Sequence, residues 1–279
     1  MNPEPYKPSS LKFGSMIVLM LCGMVLFICI AGCQSAPGKT TVPLTTITPE
    51  PTVIVPTNTS VPTEISDQRP AAHDLSRYAF PASIDPAKRY MFYLHGKIIE
   101  DQGIPAISPD YGEYEYEAIL DKLSGYGFVV ISEQRVKDTD SGLGYARRIV
   151  GQVTDLLNGG VPANHITVVG ASKGAGITIF VSHYLENEDV NFVIMGICNP
   201  DEVNYLEQEG IFLYGNVLSI FDTVDGFAGS CQDLFKFSEG RGLSRHDEIV
   251  LHVGTGHGIL YKPLDEWIAP LVQWAESPL

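Results

Sequence analysis

The amino-acid sequence predicts an α/β domain over residues 67–279: a mostly parallel central sheet with helices on both faces, in three layers. Three observations predict it. Apolar runs of strand length alternate with longer stretches of helical spacing. The strand runs are continuously apolar, as in a sheet covered on both sides, not alternating as in a half-exposed one. Finally, the β-branched run Ile166–Val169 breaks into Gly170-Ala171-Ser172-Lys173-Gly174 and then into an apolar, helix-compatible stretch from Ala175 to Leu185.

Taken in order, the chain begins with a segment outside this domain. Lys7 and Lys12 precede an uncharged run, Met16–Ala31, which ends in Ile30-Ala31-Gly32-Cys33. This resembles a bacterial lipoprotein signal over residues 1–33, which implies cleavage after Gly32, lipidation of Cys33 and an extracytoplasmic domain held at a membrane. An uncleaved membrane anchor is the alternative, since the run is slightly long for a secretory core and short for a span. Residues 34–66 change to threonine and proline (Thr40-Thr41-Val42-Pro43, Thr48-Pro49-Glu50-Pro51, Val55-Pro56-Thr57) and are expected to be a disordered linker, because such a composition buries too little surface to fold. Fully extended, the linker spans about 100 Å at ~3.1 Å per residue.

Within the domain, strands are expected at Tyr90–Leu94, Phe128–Ser132, Ile166–Val169, Asn191–Ile197, Val217–Phe221 and Glu248–Val253. Helices are expected at Tyr114–Leu123, stopped by Gly125, at Gly144–Leu157, ended by Asn158-Gly159-Gly160, after the serine, and at Pro263–Trp274. The interval Asn199–Tyr214 is expected to be irregular and too short for a helical cap, so a minimal cap and an open site follow.

Charge and cysteines bound the chemistry. Residues 34–279 carry 16 basic and 32 acidic side chains, which argues against a nucleic-acid partner, since that needs a basic face. Of five cysteines, Cys22, Cys29 and Cys33 lie in the signal. Cys198 and Cys231 suit equally one disulfide in an oxidising compartment or two small buried apolar side chains. No Cys/His spacing suggests a metal site, and no cofactor is called for.

In parallel sheets the reactive groups sit on loops at the C-terminal strand ends, and four such loops stand out. The Gly170–Gly174 turn exposes Ser172 at a sharp bend whose flanking positions have no room for a side chain. Leu94-His95-Gly96-Lys97 can aim a backbone N–H, that of Lys97, at a carbonyl oxygen; the N–H of Lys173 would be the second donor. Asp222-Thr223-Val224-Asp225-Gly226 follows one strand, and Gly254-Thr255-Gly256-His257-Gly258 follows the last. Other histidines are set aside: His73 is in the entry segment, His165 precedes a strand, His183 rides a helix and His252 lies within a strand.

The order Ser172, Asp225, His257, with His95-Gly96 upstream, resembles the α/β-hydrolases of the small serine esterase or lipase type across residues 90–279. The resemblance implies Ser172 as nucleophile, His257 as base and then acid, and an aspartate orienting the imidazole. The family places that acid a few residues past its strand, which favours Asp225 and leaves Asp222 as the alternative. The implied substrate is a small-molecule carboxylic ester with a small to medium acyl group; the leaving group could also be an amine. Aromatic residues in the loops (Tyr111, Tyr114, Tyr205, Phe212, Tyr214, Phe227) either line the mouth or pack ordinarily, and Lys97, Glu100, Glu133 and Arg135 are candidates for selecting a charged substrate.

Two other classes fit parts of the sequence. Gly170-x-x-x-Gly174-x-Gly176 also fits the phosphate-binding turn of short-chain dehydrogenases. That turn opens its domain, however, and is followed by Tyr-x-x-x-Lys; here the turn lies past the middle, and the one match, Tyr93…Lys97, precedes it. A non-catalytic binding lipoprotein on a degenerate hydrolase fold remains the second reading.

Overall fold

The structure, a computed structural model, describes residues 73–139 and 143–277. The expected signal with Cys33, the linker and their boundaries at 33 and 66 lie outside the described residues. No helix among the described residues is long and apolar enough to cross a membrane.

The elements, in order, are β1 (Tyr90–Leu94), α1 (Lys97–Gln102), the short strands β2 (Ile107–Ser108) and β3 (Gly112–Glu113), α2 (Tyr116–Gly125), β4 (Val129–Ile131), α3 (Leu143–Asn158), β5 (Ile166–Ala171), α4 (Lys173–Leu185), β6 (Asn191–Met195), α5 (Pro200–Gln208), β7 (Gly215–Asp222), α6 (Gln232–Ser238), β8 (Leu243–Leu251) and α7 (Asp265–Glu276). Six strands form one parallel sheet in the order β4-β1-β5-β6-β7-β8, while β2 and β3 make a separate antiparallel pair.

Each strand feeds two cores because successive side chains point to opposite faces. On β1, Met91 and Tyr93 join Leu120 and Leu123 of α2 and Trp267, Ile268 and Leu271 of α7. Tyr90, Phe92 and Leu94 join Ile149 and Val153 of α3, Ile179 of α4 and Leu234 of α6. The expected three layers are therefore present, with the sheet entirely parallel.

Three expectations need correction. Asn199–Tyr214 is not irregular: it holds α5, whose start is set by Pro200 in the first turn and by the Asn199 side chain, which accepts from the Glu202 N–H at 2.9 Å. Asn-Pro is a helix start as readily as a turn. The last strand begins five residues earlier than expected and ends at Leu251, so His252 lies beyond it. Its run Ser244-Arg-His-Asp-Glu248 hides the strand because β8 is the sheet edge, where charged side chains face water. The short helices α1 and α6 have no counterpart in the sequence reading; each is too brief for periodicity to register.

Candidate active site

The site lies where β1, β5, β7 and β8 end. Ser172 follows β5 with φ +53° and ψ −118°, a left-handed backbone that costs of order 1–3 kcal/mol unless its surroundings impose it. They do. A Cβ on Gly170 would lie 2.2 Å from the Gly174 carbonyl oxygen, and one on Gly174 would lie 1.8 Å from the Leu94 carbonyl oxygen. The Ser172 N–H donates to the Met195 carbonyl at 2.8 Å, tying the bend to β6. The serine side chain is thereby presented at the start of α4, part-exposed to a cavity of about 290 Å³.

His257 faces the same cavity, in a short 3-10 turn (Gly256–Tyr261) that follows β8. Its Nδ1 lies 2.8 Å from Asp225 Oδ2. Since an ionised carboxylate only accepts, Nδ1 carries a proton, and it is the neutral form of this tautomer that offers Nε2 as an acceptor. The other Asp225 oxygen accepts from the Phe227 N–H at 2.9 Å. Burial pushes this carboxyl upward, but the hydrogen bonds from His257 and from the Phe227 and Ala228 N–H groups outweigh it and hold the carboxyl below its ordinary value. Asp222 is spent differently: fully buried, it accepts from the N–H groups of Val224 at 3.0 Å and Gly254 at 2.9 Å, joining the two loops. Of the two aspartates, Asp222 at the end of β7 and Asp225 in the loop after it, Asp225 is the one that meets His257.

On the opposite side stand two helix starts. Lys97 is the first residue of α1 and Lys173 the first of α4, and first-turn N–H groups have no partner inside their helix. Among the described residues neither N–H has another acceptor. Gly96 brings the first of them close: a Cβ there would sit 3.7 Å from Ser172 Cβ. His95 shapes this turn. Its Nε2 accepts from the Arg135 N–H at 2.9 Å, so Nδ1 donates to the Gly96 carbonyl at 2.8 Å. Burial, with the Arg135 charge beside it, pushes the imidazole down to about 3, so it is neutral.

Tyr111, Tyr114 and Phe227 line the cavity, with Ile98, Leu260 and Tyr261, which the sequence did not single out. Tyr261 closes the same 3-10 segment that carries His257, four residues on. Phe227 is 66% exposed and stands edge-on to His257, with ring centroids 5.5 Å apart. Phe212 and Tyr214 pack elsewhere, on each other and, for Phe212, on His183; Tyr205 also lies away from the cavity, half-exposed on α5. The charged candidates for substrate selection are likewise consumed: Glu100 and Arg135 pair with each other, fully buried, Lys97 pairs with Asp101 and Glu133 with Arg148. Cys198 and Cys231 form a disulfide. No group of side chains among the described residues is arranged to hold a metal ion.

No family model matches the chain, and no curated protein matches it. Solved structures similar to it include SOBER1 of Arabidopsis thaliana (11% identity, 68% of this chain and 98% of that chain covered, TM-score 0.45). Others are a phospholipase/carboxylesterase from Dyadobacter fermentans (17%, 63% and 90%, 0.40) and the esterase PE8 (16%, 69% and 94%, 0.44). Nothing about activity transfers at that level of likeness.

Proposed function

We propose that this chain is a serine hydrolase that cleaves carboxylic esters of small to medium acyl groups through an acyl-enzyme. The observation that carries the proposal is the meeting, at one cavity, of a serine held in a strained bend and a histidine whose Nδ1 is held by a carboxylate. Ser172 Oγ attacks the acyl carbon as His257 Nε2 takes its proton. The oxyanion that forms is received by the N–H groups of Lys97 and Lys173, each worth about 3 kcal/mol in such a role. His257 then gives its proton to the departing alcohol. Water, deprotonated by the same imidazole, releases the acid and restores the serine. Asp225 stabilises the imidazolium without taking its proton.

A cavity near 290 Å³ is at the small end of ligand sites, and its aromatic lining suits an apolar acyl group. Stoichiometric labelling of Ser172 by a fluorophosphonate, abolished in His257→Ala, is expected; turnover of nitrophenyl esters of graded length should peak at short chains and vanish in Ser172→Ala. A wild-type protein that neither labels nor turns over is a binding module instead. We further propose that the domain is extracytoplasmic and membrane-held through lipid on Cys33. Labelled palmitate should enter the wild type and not Cys33→Ala, and equal incorporation would refute the anchor.

A further inference from the structure

The two proposed oxyanion donors sit on different helices, and the sheet stops short of both. β1 and β5 pair directly, but their last paired residues are Leu94 and Gly170. Beyond that point the two turns still touch, Gly174 against the Leu94 carbonyl and Gly96 beside Ser172. What ties the helices that follow, α1 and α4, to each other is a line of charge. Glu100, one turn into α1 from Lys97, accepts from Lys173 Nζ at 2.6 Å through one oxygen and from Arg135 Nε at 3.2 Å through the other. Lys173 Nζ also donates to the Thr139 carbonyl at 3.0 Å. Arg135 reaches past Glu100 to donate to the His95 carbonyl, and its N–H meets the His95 ring. The residue that supplies the second donor through its backbone therefore holds the first donor's helix through its side chain.

Glu100 and Arg135 have no exposed side-chain surface and Lys173 has 22%. Burying such charges costs several kcal/mol per ion before pairing, and apolar replacements often serve stability as well or better. Stability alone gives little reason to keep them.

We propose that Glu100 is a positioning residue: tethered to Lys173 and braced by Arg135, it fixes the spacing between the Lys97 and Lys173 N–H groups that receive the oxyanion. The proposal rests on the serine-hydrolase reading. The tether acts on the tetrahedral state, where donor spacing matters most, and little on the bound ester.

The test uses the full-length protein with Glu100→Gln, Lys173→Met and Lys173→Arg. Glu100→Gln and Lys173→Met should each lower kcat by roughly 10- to 100-fold, the range below full loss of one donor. KM should change little, and Lys173→Arg should recover most of the rate. A trifluoromethyl ketone provides the readout a merely structural role would not move: the pKa of its hemiketal adduct on Ser172, followed by NMR, should rise by at least one unit in both tether-breaking variants. If Glu100→Gln does not fold, Lys173→Met, which leaves the Glu100–Arg135 pair intact, decides alone. Unchanged kcat and unchanged hemiketal pKa in a folded variant, with wild type active, overturn the positioning role only. A wild type that fails to label with fluorophosphonate overturns the hydrolase reading and this inference with it.

Discussion

On one side of the cavity the starts of α1 and α4 are fixed by buried charge: Glu100, Arg135 and Lys173, with neutral His95 between them. On the other side the loops after β7 and β8 are fixed by backbone hydrogen bonds to two aspartates and by a covalent cross-link. Asp222 joins the loops, Asp225 takes His257, and the loop between Asp225 and α6 is closed by Cys198–Cys231. The difference follows from what each side has to do in the proposed reaction. Donors need only keep still, so rigid ionic contacts suit them. The imidazole has to change charge during each cycle, and a carboxylate held by N–H groups tolerates that change without moving.

The largest effect should come from breaking the second side at its centre. Asp225→Asn removes the acceptor that fixes the His257 tautomer, and turnover should fall by about 10⁴-fold, as loss of such an orienting carboxylate does elsewhere. Asp222→Asn keeps one of its two backbone acceptor contacts and should cost stability, with kcat within an order of magnitude of wild type. Steady-state kinetics of the two variants beside their urea midpoints separates the roles. A reversed result would transfer the orienting function to Asp222.

These two residues also mark how far sequence carries. The elbow is legible in the sequence because both its glycines are required: Gly170 faces the Gly174 carbonyl within the turn and Gly174 faces the Leu94 carbonyl of the neighbouring strand, where no side chain would fit. The apolar strands are legible because a buried parallel sheet needs them. The partner of His257 is legible only to within three residues, since Asp222 ends the strand that Asp225 follows and only hydrogen bonding across to another loop separates them. Glu100 and Arg135 illustrate the converse. Charged residues near strand ends look like substrate contacts in the sequence, and only the packing of α1 against the loop after β4 reveals that they are buried against each other.

The next effect tests the cross-link. Cys198 and Cys231 lie 33 residues apart, and closing a loop of that length stabilises a fold by about 3–4 kcal/mol on the chain-entropy model. Replacing both by serine should lower the unfolding free energy by that amount in urea denaturation under non-reducing conditions. Hydrogen exchange should show faster opening of residues 223–231 and unchanged protection of α1. Equal loosening of α1 would mean that the two sides are not independent.

The smallest of the three effects comes from acid, which acts on the first side. His95 has an ordinary value of 6.5 and is held near 3 in the fold. Between those values the unfolded chain binds a proton that the folded chain refuses, so stability rises with pH in that window. The contribution is complete above pH 6.5 and is lost as pH falls toward 3, at up to about 1.4 kcal/mol per pH unit. Asp225, whose carboxyl is lowered, acts with the same sign but only below its ordinary 3.8, whereas Glu202, raised by burial above its ordinary 4.5, acts with the opposite sign inside the window. His165 is lowered as well, through burial, and contributes to the raw slope. The measurement is therefore a difference: unfolding free energies of wild type and His95→Gln at pH 7, 6, 5 and 4. Wild type should lose roughly 2–3 kcal/mol more across that range than the variant. Protonation would strip the Arg135 N–H of its acceptor and set a second cation beside the guanidinium, so α1 should lose exchange protection before residues 223–231 do. Parallel slopes in the two proteins would place the proton elsewhere and remove His95 from the charge-held side of the site.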